Sequence, residues 1–88
     1  MLERDIERAL IKHIEKLGGT CEKFNSGVRN VPDRIITLPG NNISFVECKR
    51  PGAKPRIGQL RDHERRRKLG CTVHVIDSLE GILNAYPR

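Results

Sequence analysis

Residues 33–49 read DRIITLPGNNISFVECK, in which two apolar, β-branched runs flank a strong turn signal, Pro39-Gly40-Asn41-Asn42. Proline, glycine and asparagine favour tight turns, and β-branched residues favour the pleated backbone of a strand. The stretch therefore predicts a β-hairpin with strands at 33–38 and 43–49. Every other element of the chain is placed relative to this hairpin.

The length of the turn decides which residues of the hairpin face each other. If Leu38 pairs with Ile43, Asp33 falls opposite Cys48 and on the other face from Glu47. If the loop is one residue shorter and Leu38 pairs with Asn42, Asp33 falls opposite Glu47 on the same face. A site that uses both carboxylates needs this second register, or a bulge, with positive φ at a turn residue. The candidates for that φ are Gly40 and Asn41.

Pro32-Asp33 and Glu47-Cys48-Lys49 together have the order PD…ExK, which provides two carboxylates and a lysine. Glu47 and Lys49 are two apart on a strand, so both project from one face. Two carboxylates and a backbone carbonyl, that of Cys48, suit Mg²⁺ or Mn²⁺. Such an ion polarises a phosphodiester and lowers the pKa of a bound water, while Lys49 orients that water or stabilises developing charge. Either motif alone is more often a surface ion pair or an ordinary turn, so the combination carries the prediction.

The remaining elements follow from periodicity and from helix-stop signals. Ile6, Leu10, Ile14 and Leu17 form an apolar stripe at helical spacing, ended by Gly18-Gly19. The predicted elements are a helix at 3–17, strands at 20–25, 33–38 and 43–49, a helix at 56–69, a strand at 71–76 and a helix at 79–85, capped by Asp77-Ser78. The order αβββαβα predicts an α/β fold with a small mixed sheet flanked by helices.

The composition limits the classes of protein to consider. A chain of 88 residues is predicted to form one domain, 1–88, and its core is thin enough that a partner subunit would stabilise it. A net charge of +6 favours phosphate-rich partners, while 3% aromatic content leaves few platforms for stacking single-stranded bases. Three unpaired cysteines, no signal peptide and no membrane-length apolar stretch predict a cytoplasmic protein.

A third carboxylate is predicted on the first helix. On a helical wheel centred on Ile6, Glu3 lies at about 60°, within the apolar stripe, and Glu7 at about 100°, on its edge. A glutamate at a helix start favours the helix dipole, but that role does not require it to face inward. Glu3 therefore ranks ahead of Glu7 as an accessory ligand of the metal or its water.

The second predicted helix is basic and has a poor apolar stripe, so it cannot be deeply buried. From chemistry alone, Gln59 is a surface amide, and His63 is exposed or a phosphate contact rather than a catalyst. A charge run is usually a solvated face, but this run flanks a candidate phosphodiester site and favours binding of a DNA backbone by shape. The predicted DNA contacts are Arg50, Lys54, Arg56, Arg61, Arg65 and Arg66.

The ordered set of motifs resembles the virus-type replication-repair nuclease family (VRR-NUC) of the PD-(D/E)xK superfamily. The resemblance covers nearly the whole chain, although no single motif is specific. It rests on Glu3-Arg4-Asp5-Ile6-Glu7, Leu17-Gly18-Gly19, Val31-Pro32-Asp33-Arg34, Leu38-Pro39-Gly40, Phe45-Val46-Glu47-Cys48-Lys49, Gln59 and Leu69-Gly70. Asn30-Val31 stands where the family is often glycine-lined, and the second helix is richer in arginine than is usual.

The resemblance implies a restriction-endonuclease-like core and a metal-dependent nuclease. It assigns the metal-binding aspartate to Asp33, the glutamate to Glu47 and the lysine to Lys49. It also assigns a helix glutamate best to Glu3, with Glu7 the alternative by analogy with related junction resolvases, and a catalytic glutamine to Gln59. Short members of the family look like homodimers that cleave branched DNA such as four-way junctions. By resemblance, we expect the same assembly and the same class of substrate for this chain.

The sequence therefore supports one leading hypothesis and two alternatives. The leading hypothesis is a Mg²⁺- or Mn²⁺-dependent DNA endonuclease in which water attacks the phosphodiester in line, with no other cofactor and no membrane partner. The second is a non-catalytic DNA-binding phage accessory module with a nuclease-like fold, against which stands the presence of every catalytic residue type. The third is an RNA-binding or RNA-cleaving domain, which the scarcity of aromatic residues disfavours.

Overall fold

A computed structural model describes all 88 residues as four strands and three helices in the predicted order αβββαβα. The elements are α1 (Glu3–Lys16), β1 (Thr20–Lys23), β2 (Arg34–Leu38), β3 (Asn42–Cys48), α2 (Ile57–Lys68), β4 (Val73–Ile76) and α3 (Leu79–Ala85). All seven predicted elements are present, within one or two residues of their predicted ends. The clearest shift is at β4, which begins at Val73 because Cys71 N–H is bonded to the Arg66 carbonyl at the end of α2.

The four strands form one mixed sheet in the order β1-β2-β3-β4. The pairs β1–β2 and β2–β3 are antiparallel, and β3–β4 is parallel. The parallel pair is connected through α2, because two parallel neighbours need a crossover between them. This connection carries α2 across the sheet face that bears the odd-numbered residues of β3.

The hairpin adopts the register that a two-carboxylate site requires. Leu38 pairs with Asn42 and Arg34 pairs with Val46, so the next pair along the ladder would be Asp33 and Glu47. The tip residues Gly40 and Asn41 have φ values of 86° and 60°. Both conformations lie in the left-handed region, which glycine and asparagine tolerate best. The shorter-loop alternative is confirmed, together with its requirement for positive φ.

The hydrophobic core lies between α1, α3 and one face of the sheet. Ile6, Leu10 and Ile14 of the α1 stripe are completely buried. They pack in one cluster with Ile36, Val46, Cys48, Ile76, Ile82 and Tyr86. Side chains alternate across a strand, so the neighbours of Val46 on β3 point to the opposite face, beneath α2. The sheet thus separates an apolar layer from a layer that contains Glu47.

The second helix packs its polar side inward. Its apolar residues Ile57, Leu60 and Leu69 are exposed by 68, 49 and 77%, whereas Gln59, Asp62 and His63 are buried. The prediction that α2 cannot be deeply buried holds for its apolar residues but is wrong for its polar face. Burial of a polar face requires hydrogen bonds and ion pairs in place of hydrophobic contact, since unpaired polar groups are costly to bury.

Arg66 and Asp62 hold α2 to the sheet. The Arg66 guanidinium lies 5.2 Å from the ring centroid of Phe24 and 5.0 Å from that of Phe45, in cation–π geometry. Its Nε also donates to Asp62 at 2.7 Å, and Arg65 donates to the other oxygen of the same carboxylate at 2.7 Å. The Arg66 side chain therefore covers apolar surface of the sheet beneath this helix.

The start of α3 is capped where the sequence predicts it. The Ser78 hydroxyl accepts from Gly81 N–H at 2.9 Å, which is the predicted cap of α3. All three cysteines are free thiols, with Cys48 buried and Cys21 and Cys71 half-buried. None of the three helices combines the length and the apolar character that a bilayer crossing demands.

Candidate active site

Asp33 lies immediately before β2 and is anchored by the backbone of β3. Its Oδ2 accepts the Cys48 N–H at 2.9 Å. The preceding Pro32 is buried, which fixes the chain as it enters the strand. The hairpin register and this hydrogen bond together bring the Asp33 carboxylate to the end of β3 that carries Glu47 and Lys49.

Glu47 occupies the centre of the site and is almost completely buried, with 2% of its surface exposed. Its Oε2 accepts a hydrogen bond from Gln59 Nε2 at 3.0 Å and lies 3.7 Å from Lys49 Nζ. Its Oε1 has no hydrogen-bond partner. The predicted constellation of Asp33, Glu47 and Lys49 is therefore brought together at one end of the sheet.

The electrostatics of Glu47 fit a bound cation. Burial and the adjacent Asp33 carboxylate together raise the pKa of Glu47 to about 7, although Lys49 opposes both effects. Two carboxylates this close repel each other when both are ionised, and a divalent ion between them relieves that repulsion. The orphaned Oε1 and an all-oxygen donor set suit Mg²⁺ or Mn²⁺.

The protein provides few side-chain ligands for such an ion. No three His, Cys, Asp or Glu side chains converge closely enough to form a complete metal cluster. This is compatible with the predicted set of two carboxylates and the Cys48 carbonyl, with water completing the shell, because Mg²⁺ usually keeps several waters. An accessory carboxylate would then act through water.

The two candidate accessory glutamates are in different situations. Glu7 Oε2 accepts from Arg34 Nε at 2.9 Å, so this carboxylate is already paired. Glu3 is exposed at the start of α1, where partial burial and the nearby Asp33 raise its pKa and Lys49 lowers it. Glu3 therefore lies within electrostatic reach of the site without an ion pair of its own, although it is less enclosed than its place on the apolar stripe predicted.

Gln59 is a buried amide that contacts Glu47, and its interpretation as a surface amide is wrong. Its Oε1 accepts from Arg56 N–H at 2.9 Å, which leaves the Nε2 donors for Glu47. The first turn of α2 therefore holds the glutamine in one orientation, because only the amide nitrogen can donate to a carboxylate. The Gln59 side chain therefore links the first turn of α2 to Glu47 by hydrogen bonds.

His63 is completely buried, and the expectation that it is exposed is wrong. Its Nε2 lies 3.7 Å from Glu47 Oε1, and neither ring nitrogen has a hydrogen-bond partner. The missed signal is the spacing of polar residues in α2. Gln59, Asp62, His63 and Arg66 follow the i, i+3, i+4, i+7 pattern of a buried face, but an apolar-periodicity search passes over them.

The predicted DNA contacts fall into two groups. Arg50, Lys54, Arg56, Arg61 and Arg65 are exposed. Arg66 is engaged by Asp62 and two phenylalanine rings, and only 17% of its side chain is exposed. Arg66 is therefore much less available to a phosphate than the other five residues.

One basic surface was not predicted from the sequence. A cleft lined entirely by polar residues lies beside the first turn of α2, next to Gln59, and joins that turn to the loop before Pro32. Asn30 has φ of 69°, and a Cβ added at Gly58 would lie 2.6 Å from its side-chain nitrogen. The cleft is lined by Arg29, Asn30, Gly58, Arg61, Asp62 and Arg65.

A mixed αβββαβα core that brings an aspartate, a buried glutamate and a lysine together at one end of its sheet defines a restriction-endonuclease-like nuclease fold. Among solved structures, 98% of this chain aligns with 97% of a chain described as a VRR_NUC domain, with a TM-score of 0.87 and 34% sequence identity. The protein belongs to the VRR_NUC family, as the motifs predicted.

A curated relative from a phage supports the same assignment. "Putative nuclease p44" of Acyrthosiphon pisum secondary endosymbiont phage 1 is 50% identical over 86 residues, covering 94% of this chain and 92% of the relative. A scan against protein-family models gives no match.

Proposed function

We propose that residues 1–88 form one nuclease domain that hydrolyses DNA phosphodiester bonds with a divalent metal, Mg²⁺ or Mn²⁺. The observation that carries the proposal is Glu47, a buried carboxylate with one oxygen unpaired, held beside Asp33 and within 3.7 Å of Lys49. Burying an acid next to another acid is unfavourable for stability. A cation-dependent reaction gives that arrangement a purpose.

Each residue has a role that its position supports. Asp33 and Glu47 hold the cation, with the Cys48 carbonyl as a further oxygen ligand and Glu3 acting through water. The ion would polarise the phosphate and lower the pKa of a bound water. Lys49 presents its ammonium to that water or to the charge that develops on the phosphate. Gln59 keeps the Glu47 carboxylate in place through the 3.0 Å hydrogen bond from its Nε2.

The basic cleft provides a path for the DNA backbone. Arg29, Arg61 and Arg65 line it, and the carboxylate of Asp62 at its base is already shared by Arg65 and Arg66. The cleft therefore retains positive charge and can bind phosphates of either strand without reading bases. With the exposed Arg50, Lys54 and Arg56, it favours recognition of DNA by shape, as for a branched junction.

The exposed stripe on α2 supports assembly as a homodimer. Ile57, Leu60 and Leu69 line a shallow groove that also contains basic side chains and a single acidic one, Glu64. In a pair of molecules related by a twofold axis, the apolar side chains of this groove would meet those of the other copy. Such a dimer would present two active sites to a branched DNA.

The proposal is tested by cleavage of a labelled four-way junction beside linear duplex, single strand and an RNA version, with Mg²⁺, Mn²⁺ or EDTA. We expect metal-dependent cleavage of the junction by the wild type and a loss of at least about 100-fold with Lys49→Ala. Lys16→Ala, at the far end of α1, is the control for lost positive charge and should cleave normally.

The other outcomes are equally informative. Cleavage by Lys49→Ala at the wild-type rate would remove the lysine from the mechanism. Cutting of every substrate would retain the nuclease and discard junction selectivity. Tight, metal-independent binding with no cleavage of any substrate would instead identify a non-catalytic DNA-binding module.

A further inference from the structure

The buried polar face of α2 meets Glu47 at two points, and only one of them has a role so far. Gln59 and His63 are one helical turn apart, so their side chains lie on the same face. Gln59 Nε2 is 3.0 Å from Oε2 of Glu47, and His63 Nε2 is 3.7 Å from Oε1. The helix therefore places a nitrogen opposite each oxygen of the same carboxylate.

The second of these contacts joins two groups that both lack a partner. Glu47 Oε1 and both ring nitrogens of His63 are the buried side-chain polar atoms without a hydrogen bond in this structure. Buried polar groups in folded proteins are normally paired. A separation of 3.7 Å exceeds the usual hydrogen-bond limit of about 3.2 Å by roughly half an ångström, which a small side-chain rotation closes.

The environment of His63 favours a neutral ring that donates a single N–H. Burial lowers the pKa of His63, the cationic groups of Arg67, Arg66 and Lys49 lower it further, and Asp62 opposes them. A neutral imidazole has one N–H donor and one acceptor nitrogen. With Glu47 ionised, a donor on Nε2 pairs that nitrogen with the carboxylate and leaves only Nδ1 unpaired, whereas a donor on Nδ1 would leave two acceptors facing each other.

We propose that His63 is a positioning residue of the nuclease site, whose Nε2–H hydrogen-bonds Oε1 of Glu47 and sets the rotation of that carboxylate. The proposal rests on the function proposed above, because it gives the orientation of Glu47 a consequence for metal binding. His63 itself touches neither metal nor DNA.

Holding both oxygens does not prevent Glu47 from binding a cation. A carboxylate has about four lone-pair sites. One hydrogen bond to each oxygen, from Gln59 and from His63, leaves a lone pair on each oxygen for the side that faces Asp33. The helix thus fixes the plane of the carboxylate. Groups that orient a metal ligand in this way typically change metal affinity or activity by about 10- to 100-fold when they are removed.

Nitrogen NMR of the metal-free wild type tests the hydrogen bond directly. At about pH 8.5, where Glu47 is ionised, we expect His63 as the Nε2–H tautomer, with a slowly exchanging ring proton that disappears or shifts in Glu47→Gln. An Nδ1–H tautomer at that pH would overturn the proposal. This measurement needs neither metal nor cleavage, so it decides the question even if the chain proves not to be a nuclease.

Two substitutions test the positioning role. His63→Leu keeps an apolar side chain of similar size without a donor, and His63→Gln returns an amide Nε2–H near the original position. By calorimetry with Mg²⁺ or Mn²⁺, we expect metal affinity about 10- to 100-fold weaker in His63→Leu and largely restored in His63→Gln. The kcat for DNA should follow the same order, while DNA affinity in EDTA stays unchanged.

His74→Leu provides the matched control. His74 is half-buried on the other sheet face, where it lies edge-on to Tyr86. Its replacement should leave metal affinity unaltered. Metal affinity and kcat of His63→Leu within twofold of wild type would contradict the proposal, as would equal losses in His63→Gln and His63→Leu. If His63→Leu does not fold, the metal affinity of His63→Gln and the ring tautomer of wild-type His63 still test the proposal.

Discussion

At the scale of single residues, the site is defined by a carboxylate in an unfavourable place. Glu47 is buried, its neighbour Asp33 is also acidic, and its pKa is raised to about 7 mainly by burial. In the metal-free protein the carboxyl group holds its proton more tightly when the chain is folded than when it is unfolded. Ionised Glu47 therefore destabilises the folded, metal-free protein, and the proposed cation would offset that destabilisation.

The destabilising burial of ionised Glu47 predicts a pH-dependent effect of Glu47→Gln on the free energy of unfolding. Below about pH 4.5 the Glu47 carboxyl is protonated in both the folded and the unfolded chain, so it causes no loss of stability. Because the folded-state pKa is raised, the metal-free wild type loses stability as the pH rises from there through 7. In EDTA we expect Glu47→Gln to be more stable than wild type by about 1–3 kcal/mol at pH 8 and by much less at pH 5. Urea unfolding at both pH values measures the difference.

Added metal should reverse the relative stability of the wild type and Glu47→Gln. If the proposed site binds Mg²⁺ in the folded state, added Mg²⁺ should raise the unfolding midpoint of the wild type and have little effect on Glu47→Gln. A variant no more stable than wild type at pH 8 without metal would show that the buried carboxylate carries no strain.

At the scale of elements, α2 is attached to the sheet by polar contacts where a typical amphipathic helix uses apolar ones. Burial would raise the pKa of Asp62, but hydrogen bonds from Arg66 and Arg65 outweigh it and lower that pKa. The stabilising contribution of the ionised group is therefore present at neutral pH and is lost as the pH falls through its lowered pKa. The attachment of α2 depends on this carboxylate.

Asp62→Ala should consequently destabilise the protein far more than removal of another acid in the same helix. It leaves Arg66 partly buried without its acceptor, for which we expect about 2–4 kcal/mol from thermal or urea unfolding at pH 7. Glu64→Ala is the control, because Glu64 and Lys68 form an exposed pair and its loss should change stability by about 0.5 kcal/mol or less. Equal effects of the two substitutions would contradict this account of α2.

At the scale of the whole molecule, the exposed apolar surface is the feature that favours an assembly larger than one chain, because the net charge opposes self-association. The molecule is small, with principal extents of 32 × 31 × 22 Å, and its net charge is +6. Ile57, Leu60 and Leu69 nevertheless leave an apolar stripe in water on the outer face of α2. A second copy that covers this stripe would bring two active sites into one particle.

A substitution at the centre of this stripe tests the assembly. We expect Leu60→Ser to lower the mass measured by light scattering from that of a dimer to that of a monomer, without loss of fold. Leu83→Ser on α3 is matched in exposure, 45% against 49%, and should leave the mass unchanged. A wild type that is monomeric at all concentrations would remove the dimer from the proposed function.

Sequence patterns predicted the order of elements and the set of Asp33, Glu47 and Lys49, because both depend on local signals. The pairing register was left open between two alternatives, since the backbone angles of Gly40 and Asn41 decide it. The burial of His63 and Gln59 was missed for a different reason. They belong to a polar face with helical spacing in α2, and a search for apolar periodicity passes over such a face because its partners are polar groups of β3.

The turn at Pro39-Gly40-Asn41 has a consequence for how this chain tolerates change. Exposed hairpin tips are ordinarily where insertions do least harm. Here an extra residue that entered the ladder would shift one strand against the other by a single step, which turns Asp33 away from Glu47 and Ile36 out of the core. The length of this exposed turn is therefore constrained by the pair of carboxylates at the opposite end of the hairpin and by the core beneath the sheet.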